Sequence, residues 1–158
     1  MTDPQSAPSS VVQSVLAETG IEAHTLADLH EFVQRYPRLF VLTGAGISTD
    51  SGIPGYRDDS GAWKRSPPVT LPQFLGTAAM RQRYWARSMI GWPVVAAAQP
   101  NAAHTALARL EAAGHVPTLV TQNVDGLHQR AGSRAVIELH GCIGGVTCLD
   151  CGMQHTRA

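Results

Sequence analysis

Arg38-Leu39-Phe40-Val41-Leu42-Thr43-Gly44-Ala45-Gly46-Ile47-Ser48 is the stretch on which the reading of the chain turns. Arg38 to Thr43 form an apolar, β-prone run that leads straight into two glycines, which reads as a buried strand entering a tight turn. Glycines after a strand let the backbone come close to a phosphate, and a helix start behind them offers free N–H groups to an anion. The same residues also make an ordinary strand-to-helix turn, and on this stretch alone both readings stand. A hydride-transferring dehydrogenase fits poorly. Its G-x-G-x-x-G pattern needs glycine where Thr49 stands, and about 20 residues on, where an acid belongs, are Lys64 and Arg65.

Working outward, residues 1–10 are polar and carry Pro4 and Pro8, so a loose tail is expected. A short helix is predicted from Val11 to Ala17. A second runs from an N-cap at Thr25 to Arg35, with Leu26, Leu29, Phe32 and Val33 on one face and Pro37 behind it. Residues 52–73 hold Pro54, Pro67, Pro68 and Pro72 with several glycines and read as one long loop, the kind that is usually functional. Helices are predicted over Ala78 to Ile90 and Ala102 to Ala113, and strands over Val116 to Val120 and Ala135 to Leu139. This alternation predicts an α/β fold, a parallel sheet with helices on both faces. Ligands bind beyond the carboxyl ends of such strands. Gly44-Ala45-Gly46, Gln122-Asn123-Val124-Asp125 and His140-Gly141 are therefore expected to meet along one edge.

Composition narrows the function classes. The 158 residues suit one domain, and twelve Lys+Arg against twelve Asp+Glu give no net charge. That argues against a protein built to coat nucleic acid or an acidic membrane. No apolar run approaches the roughly 20 residues needed to cross a bilayer. The opening Met1-Thr2-Asp3-Pro4 lacks the basic start of a signal peptide. The three cysteines all lie between 142 and 151, the wrong arrangement for a disulfide framework. A reducing, cytoplasmic setting is expected. Oligomeric state is left open.

The glycine turn continues as Thr49-Asp50-Ser51-Gly52-Ile53-Pro54-Gly55-Tyr56-Arg57. Taken with Thr121-Gln122-Asn123-Val124-Asp125, Glu138-Leu139-His140-Gly141 and Cys148-Leu149-Asp150-Cys151, in that order, it strongly resembles the sirtuins, the NAD-dependent protein deacylases. The match covers about residues 30–155. Arg83-Tyr84-Trp85-Ala86-Arg87, with Gly91-Trp92-Pro93, looks closest to the class II branch of mitochondrial lipoamidases and ADP-ribosyltransferases.

The resemblance implies NAD as cofactor and acyl-lysine proteins as substrates. By it, Gly44, Ala45 and Gly46 cradle the pyrophosphate, and Tyr56 and Arg57 belong to a mobile cofactor loop. Gln122, Asn123 and Asp125 hold the nicotinamide ribose and carboxamide, with short side chains that donate and accept directionally. His140 is the general base, suited to it by an ordinary histidine pKa of roughly 6.5. The implied reaction is acyl transfer: the acyl-lysine oxygen attacks the ribose carbon as nicotinamide leaves, and His140, with Asn123 and Asp125, completes the passage to O-acyl-ADP-ribose.

Two departures bear on the site. Gly55 stands where the family usually has an acidic or small polar residue, which could loosen the nicotinamide pocket. Tyr84 and Arg87 form a Y-x-x-R pair that in one class II branch grips succinyl- or malonyl-lysine. At i and i+3 they share a helix face, and an exposed arginine on such a face is the plainer reading.

Cys148-x-x-Cys151 is half of a tetrahedral thiolate zinc site, and redox chemistry is the competing use of a lone CxxC. The resemblance favours structural zinc. A second cysteine pair is not present here, though Cys142 and His155 could in principle complete a Cys₃His set. The expected organisation is a tail and short helix over 1–24, a partial NAD-binding Rossmann-like domain over 25–141, and the start of a zinc module over 142–158. Later segments that complete the sheet, the adenosine pocket and a substrate-pairing strand are expected in a longer protein. The alternatives are a mono-ADP-ribosyltransferase using the same NAD site, or an inactive truncated chain.

Overall fold

The computed structural model describes residues 26–58, 60–64 and 66–157. The helix expected at Val11 to Ala17 and the cap at Thr25 lie outside them. The chain divides into two compact units, Met1–Pro37 and Arg38–Ala158. Within the first, α1 spans Leu26–Arg35, with Asp28 in its first turn and Arg35 in its last, each opposite in sign to the helix end it occupies. Leu29 and Phe32 are exposed, and Phe32 lies against Tyr36 with ring centroids 5.0 Å apart.

The second unit is built on three parallel strands, β1 (Phe40–Thr43), β2 (Thr118–Thr121) and β3 (Val136–Glu138), in that spatial order. Phe40 to Thr43 pair with Thr118 to Thr121, and Leu119 to Thr121 with Val136 to Glu138. The strands are shorter than the apolar runs that encode them. Leu39 donates its N–H to His115 O before the ladder begins, and Pro117, with no N–H to give, precedes the first residue of β2.

The pleat sorts the side chains. Leu119, Thr43 and Thr121 point to the covered face, with Val116 and Leu127 buried beside them. Phe40, Leu42 and Ile137, on the other face, remain 76%, 55% and 51% exposed among the described residues.

Three α-helices stand between the first and second strands: α2 (Leu71–Gly76), α3 (Ala78–Ala97) and α4 (Ala102–Ala112). The expected loop is thus shorter by one turn of helix. Pro72 starts that helix rather than breaking it, because the first turn needs no N–H, and Gln73 Oε1 accepts the Thr70 N–H. The helix expected to stop at Ile90 instead continues through Gly91 and Pro93 to Ala97. A proline inside a helix forfeits one hydrogen bond, and the ends of α3 are secured elsewhere, by Thr77 Oγ1 accepting from Met80 and by Ala98 donating to Val94 O.

α5 (Leu127–Arg130) is a single turn that packs against α4, and β4 (Gly145–Thr147) and β5 (Gln154–Thr156) form a separate antiparallel hairpin. No helix among the described residues is long and apolar enough to cross a membrane.

Candidate active site

Beyond Thr43 the backbone leaves β1 at Gly44 and coils into a 3-10 helix, Ala45–Ser51, that ends at Gly52, whose φ of 82° is a left-handed conformation suited to glycine. This short helix is anchored from two sides. Asn101, the N-cap of α4, donates from Nδ2 to Ile47 O at 2.7 Å and Ser51 Oγ at 3.1 Å. Its Oδ1 accepts the Ala103 and His104 N–H groups. From the loop after β2, Asn123 Nδ2 donates to Gly44 O at 3.0 Å and Ser48 Oγ at 3.1 Å. Ser48, 1% exposed, passes its own proton to Asp125 Oδ2 at 2.7 Å, and Asp125 Oδ1 accepts the Leu127 N–H at 2.9 Å.

The glycine turn therefore enters any reaction already fixed in place. A Cβ built on Gly46 would meet nothing within 4 Å, so the backbone there faces open space that a ligand phosphate can enter.

The third strand end joins the same edge. His140 Nδ1 lies 2.9 Å from Gln122 O. A carbonyl only accepts, so Nδ1 carries a proton, and in the neutral ring the lone pair is on Nε2. His140 and Gln122 are both exposed. The structure thus places Gly44, Ala45, Gly46, Gln122, Asn123, Asp125 and His140 at the carboxyl-end edge of the sheet.

Tyr56 and Arg57 stand on their own small ribbon. Arg57 bridges Trp63, Lys64 N–H donates to Tyr56 O, and the Arg57 guanidinium lies 4.1 Å from the centre of the Trp63 ring while donating to Gly61 O. Asp58 ties the ribbon, and the Ser60 hydroxyl, then the Ala62 N–H, hold its carboxyl below the usual carboxylate range. Gly55 is not demanded by its backbone: an added Cβ would sit 3.7 Å from Arg57 O, an ordinary contact.

Tyr84 packs its ring against Phe74 and Trp85. Arg87, half-buried, donates from Nη1 to Ser66 O at 2.7 Å and Pro67 O at 3.1 Å. The pair does not stand bare on the helix, because Arg87 clasps the loop before α2.

Cys148 and Cys151 sit in the turn between β4 and β5. The Cys151 and Asp150 N–H groups and the Cys151 side chain hold the Cys148 thiol below its ordinary value, toward the thiolate form that metals bind. Yet among the described residues no three His, Cys, Asp or Glu side chains come together to hold a metal. The Cys₃His set with Cys142 and His155 is not formed, and His155 instead pairs with Val146 across the hairpin. Two thiols are half of what a tetrahedral zinc needs.

Residues 44–158 match the family described as the Sir2 family. The chain belongs to the Sir2 family. It is 59% identical over 139 residues to an NAD-dependent protein deacetylase of Xanthomonas axonopodis pv. citri, covering 88% of this chain and 47% of that one. It is 57% identical to NAD-dependent protein deacetylase 2 of Bradyrhizobium diazoefficiens, over 82% of this chain and 48% of that one. This Sir2-family chain thus spans about half the length of the curated relatives it matches. Among solved structures, a mutant Sir2 homologue in complex with ADP-ribose aligns with a TM-score of 0.71 and 39% identity over 80% of this chain and 52% of that one. Sir2 bound to acetylated peptide aligns with a TM-score of 0.70 and 32% identity over 84% and 52%.

Sequence reasoning missed Ser48 and Asn101 as members of this Sir2-family site. Ser48 closes the glycine motif itself. Asn101, a polar residue directly before a helical run, carries the N-cap signal. Neither signal says which distant group the side chain reaches.

Proposed function

We propose that this chain carries the NAD-binding and catalytic residues of an NAD-dependent protein-lysine deacylase, with acyl-lysine proteins as substrates. One observation carries the reading: the Gln122 carbonyl holds the proton of His140 on Nδ1 and leaves Nε2 as a base, at the edge where the anchored glycine turn, Asn123 and Asp125 converge. Names of the relatives and the ADP-ribose and acetylated-peptide complexes of the structural neighbours support it.

Gly44, Ala45 and Gly46 would hold the NAD pyrophosphate through backbone N–H groups, and Gln122, Asn123 and Asp125 would orient its ribose and carboxamide. Tyr56 and Arg57 would close over them and exclude water. Bound NAD supplies a ribose whose bond to nicotinamide can break and which takes over the acyl group. His140 Nε2 would take the proton of a hydroxyl placed there, and the Gln122 carbonyl would steady the imidazolium that results, as a second acceptor steadies the base in other histidine-dependent sites.

The Arg83 to Arg87 segment with Gly91-Trp92-Pro93 supports the class II branch. The Cys148–Cys151 turn supports a structural zinc, completed by a second cysteine pair from outside this sequence, with no part in the chemistry. The three free thiols, Cys142, Cys148 and Cys151, support a reducing, cytoplasmic setting.

The test is product mass after incubation with NAD and an acetyl-lysine peptide. A peptide lighter by one acetyl group, with O-acetyl-ADP-ribose formed, is expected. A heavier, ADP-ribosylated protein would put the transferase in its place, and absence of nicotinamide release would end the NAD reading. His140→Ala should lower the rate by about 10²–10⁴-fold.

A further inference from the structure

Behind the strand ends lies a second constellation, which the proposed reaction does not touch. His104 of α4 and His128 of α5 are 0% and 1% exposed, with ring centroids 4.8 Å apart. His128 Nε2 lies 2.9 Å from Thr43 Oγ1, Thr43 Oγ1 donates to Thr121 Oγ1 at 2.8 Å, and Thr121 Oγ1 accepts the Asn123 N–H at 3.1 Å. A hydroxyl has one proton. Thr43 gives its proton to Thr121, so toward His128 it can only accept. With the two hydroxyls oriented that way, His128 takes the Nε2–H tautomer and leaves Nδ1 a bare lone pair.

Nδ1 of His128 and Nε2 of His104 are buried without a hydrogen-bond partner among the described residues. Such groups cost stability and call for a reason. The chain of bonds suggests one, because it ends on the backbone of Asn123, whose side chain holds Gly44 and Ser48.

We propose that His128 is a positioning residue: acting through Thr43 and Thr121, and only while neutral, it sets the Asn123 backbone and with it the glycine turn that binds NAD. This rests on the NAD reading above. Protonated, the ring would bring an N–H to a dry place with no acceptor. The titratable groups that act on His128 are His104 from α4 and Asp125 from the loop after β2. Burial first, and then His104, hold His128 below the ordinary histidine value against the pull of Asp125. Burial holds His104 below it too, again against Asp125.

The experiment uses the full chain and NAD itself, titrated by calorimetry against wild type, His128→Leu and His128→Gln. The glutamine amide can donate where Nε2–H does, and leucine cannot. His128→Leu is expected to weaken NAD binding at least tenfold (~10-fold, about 1.4 kcal/mol), and His128→Gln to recover most of the loss. Wild-type affinity is expected to fall once the pH is low enough to protonate His128.

Imidazole nitrogen NMR on the wild type decides the matter even if His128→Leu does not fold. His128 should stay neutral and Nε2-protonated at pH values where an ordinary histidine is already charged. An Nδ1–H tautomer, or equal NAD affinity in wild type and His128→Leu, would overturn the role of His128 alone. No saturable NAD binding by wild type would overturn the functional reading and this inference with it.

Discussion

Ser48 and Cys148 are both small polar side chains in tight turns, and the two turns are held in different ways. Ser48 is 1% exposed and bonded on both sides, to Asp125 and from Asn123, residues more than seventy positions away. Cys148 is half-buried, and the groups acting on its thiol, from Asp150 and Cys151, all belong to its own turn. The first turn takes its geometry from the whole sheet, because a buried polar group left unpaired is costly. The second takes its geometry from its own hairpin, where the Cys148 N–H donates to Met153 O and the Gly152 N–H to Cys148 O, and it presents two thiols. Long-range anchoring is built into the first region, and a pair of thiols held by local bonds into the second.

Replacing Asn123 by alanine strikes the comparison hardest. It unties Gly44 O and Ser48 Oγ together, and nicotinamide release should fall by about 10²-fold or more, as expected when a reacting group is displaced by roughly 1 Å. Unchanged turnover would mean that the turn holds itself.

Ser48→Ala should cost about 1–3 kcal/mol in denaturant unfolding, since it leaves Asp125 Oδ2 and Asn123 Nδ2 short of a partner in a part-buried site.

A third effect is on pH. His104 and His128 have folded pKa values below the unfolded value of roughly 6.5, so the unfolded chain binds the extra protons. Stability from this pair is therefore full above that value and declines as pH falls through it. A denaturant midpoint followed downward from neutral pH should show the loss, and His128→Gln should flatten it.

Cys148→Ser, in the absence of metal, marks the small end. It should move the unfolding free energy by no more than about 0.5 kcal/mol and leave NAD affinity unchanged. A loss comparable to that of Ser48→Ala would erase the distinction between the two turns.

Much of the site could be read from local signals. The apolar run to Thr43, the glycines behind it, Asn123-Val124-Asp125 after the second apolar run and His140 after the third are each written in consecutive residues. A parallel sheet gathers the carboxyl ends of its strands without further instruction. Boundaries were less legible. Pro72 reads as a breaker in isolation and starts a helix where Thr70 and Gln73 cap it, and Pro93 sits within α3 because secured ends outweigh one lost bond.

What the sequence by itself determined is therefore the order of strands and turns, and which residues stand at the strand ends. Spacing along the chain does not say which donor meets which acceptor across it. That Ser48 bonds to Asp125, 77 residues on, that Arg87 clasps Ser66 and Pro67, and that His128 supports Thr43 were decided only by the tertiary structure. Packing takes Ser48, Thr43 and His128 out of water, and each must then find its partner among whatever the fold has placed within reach.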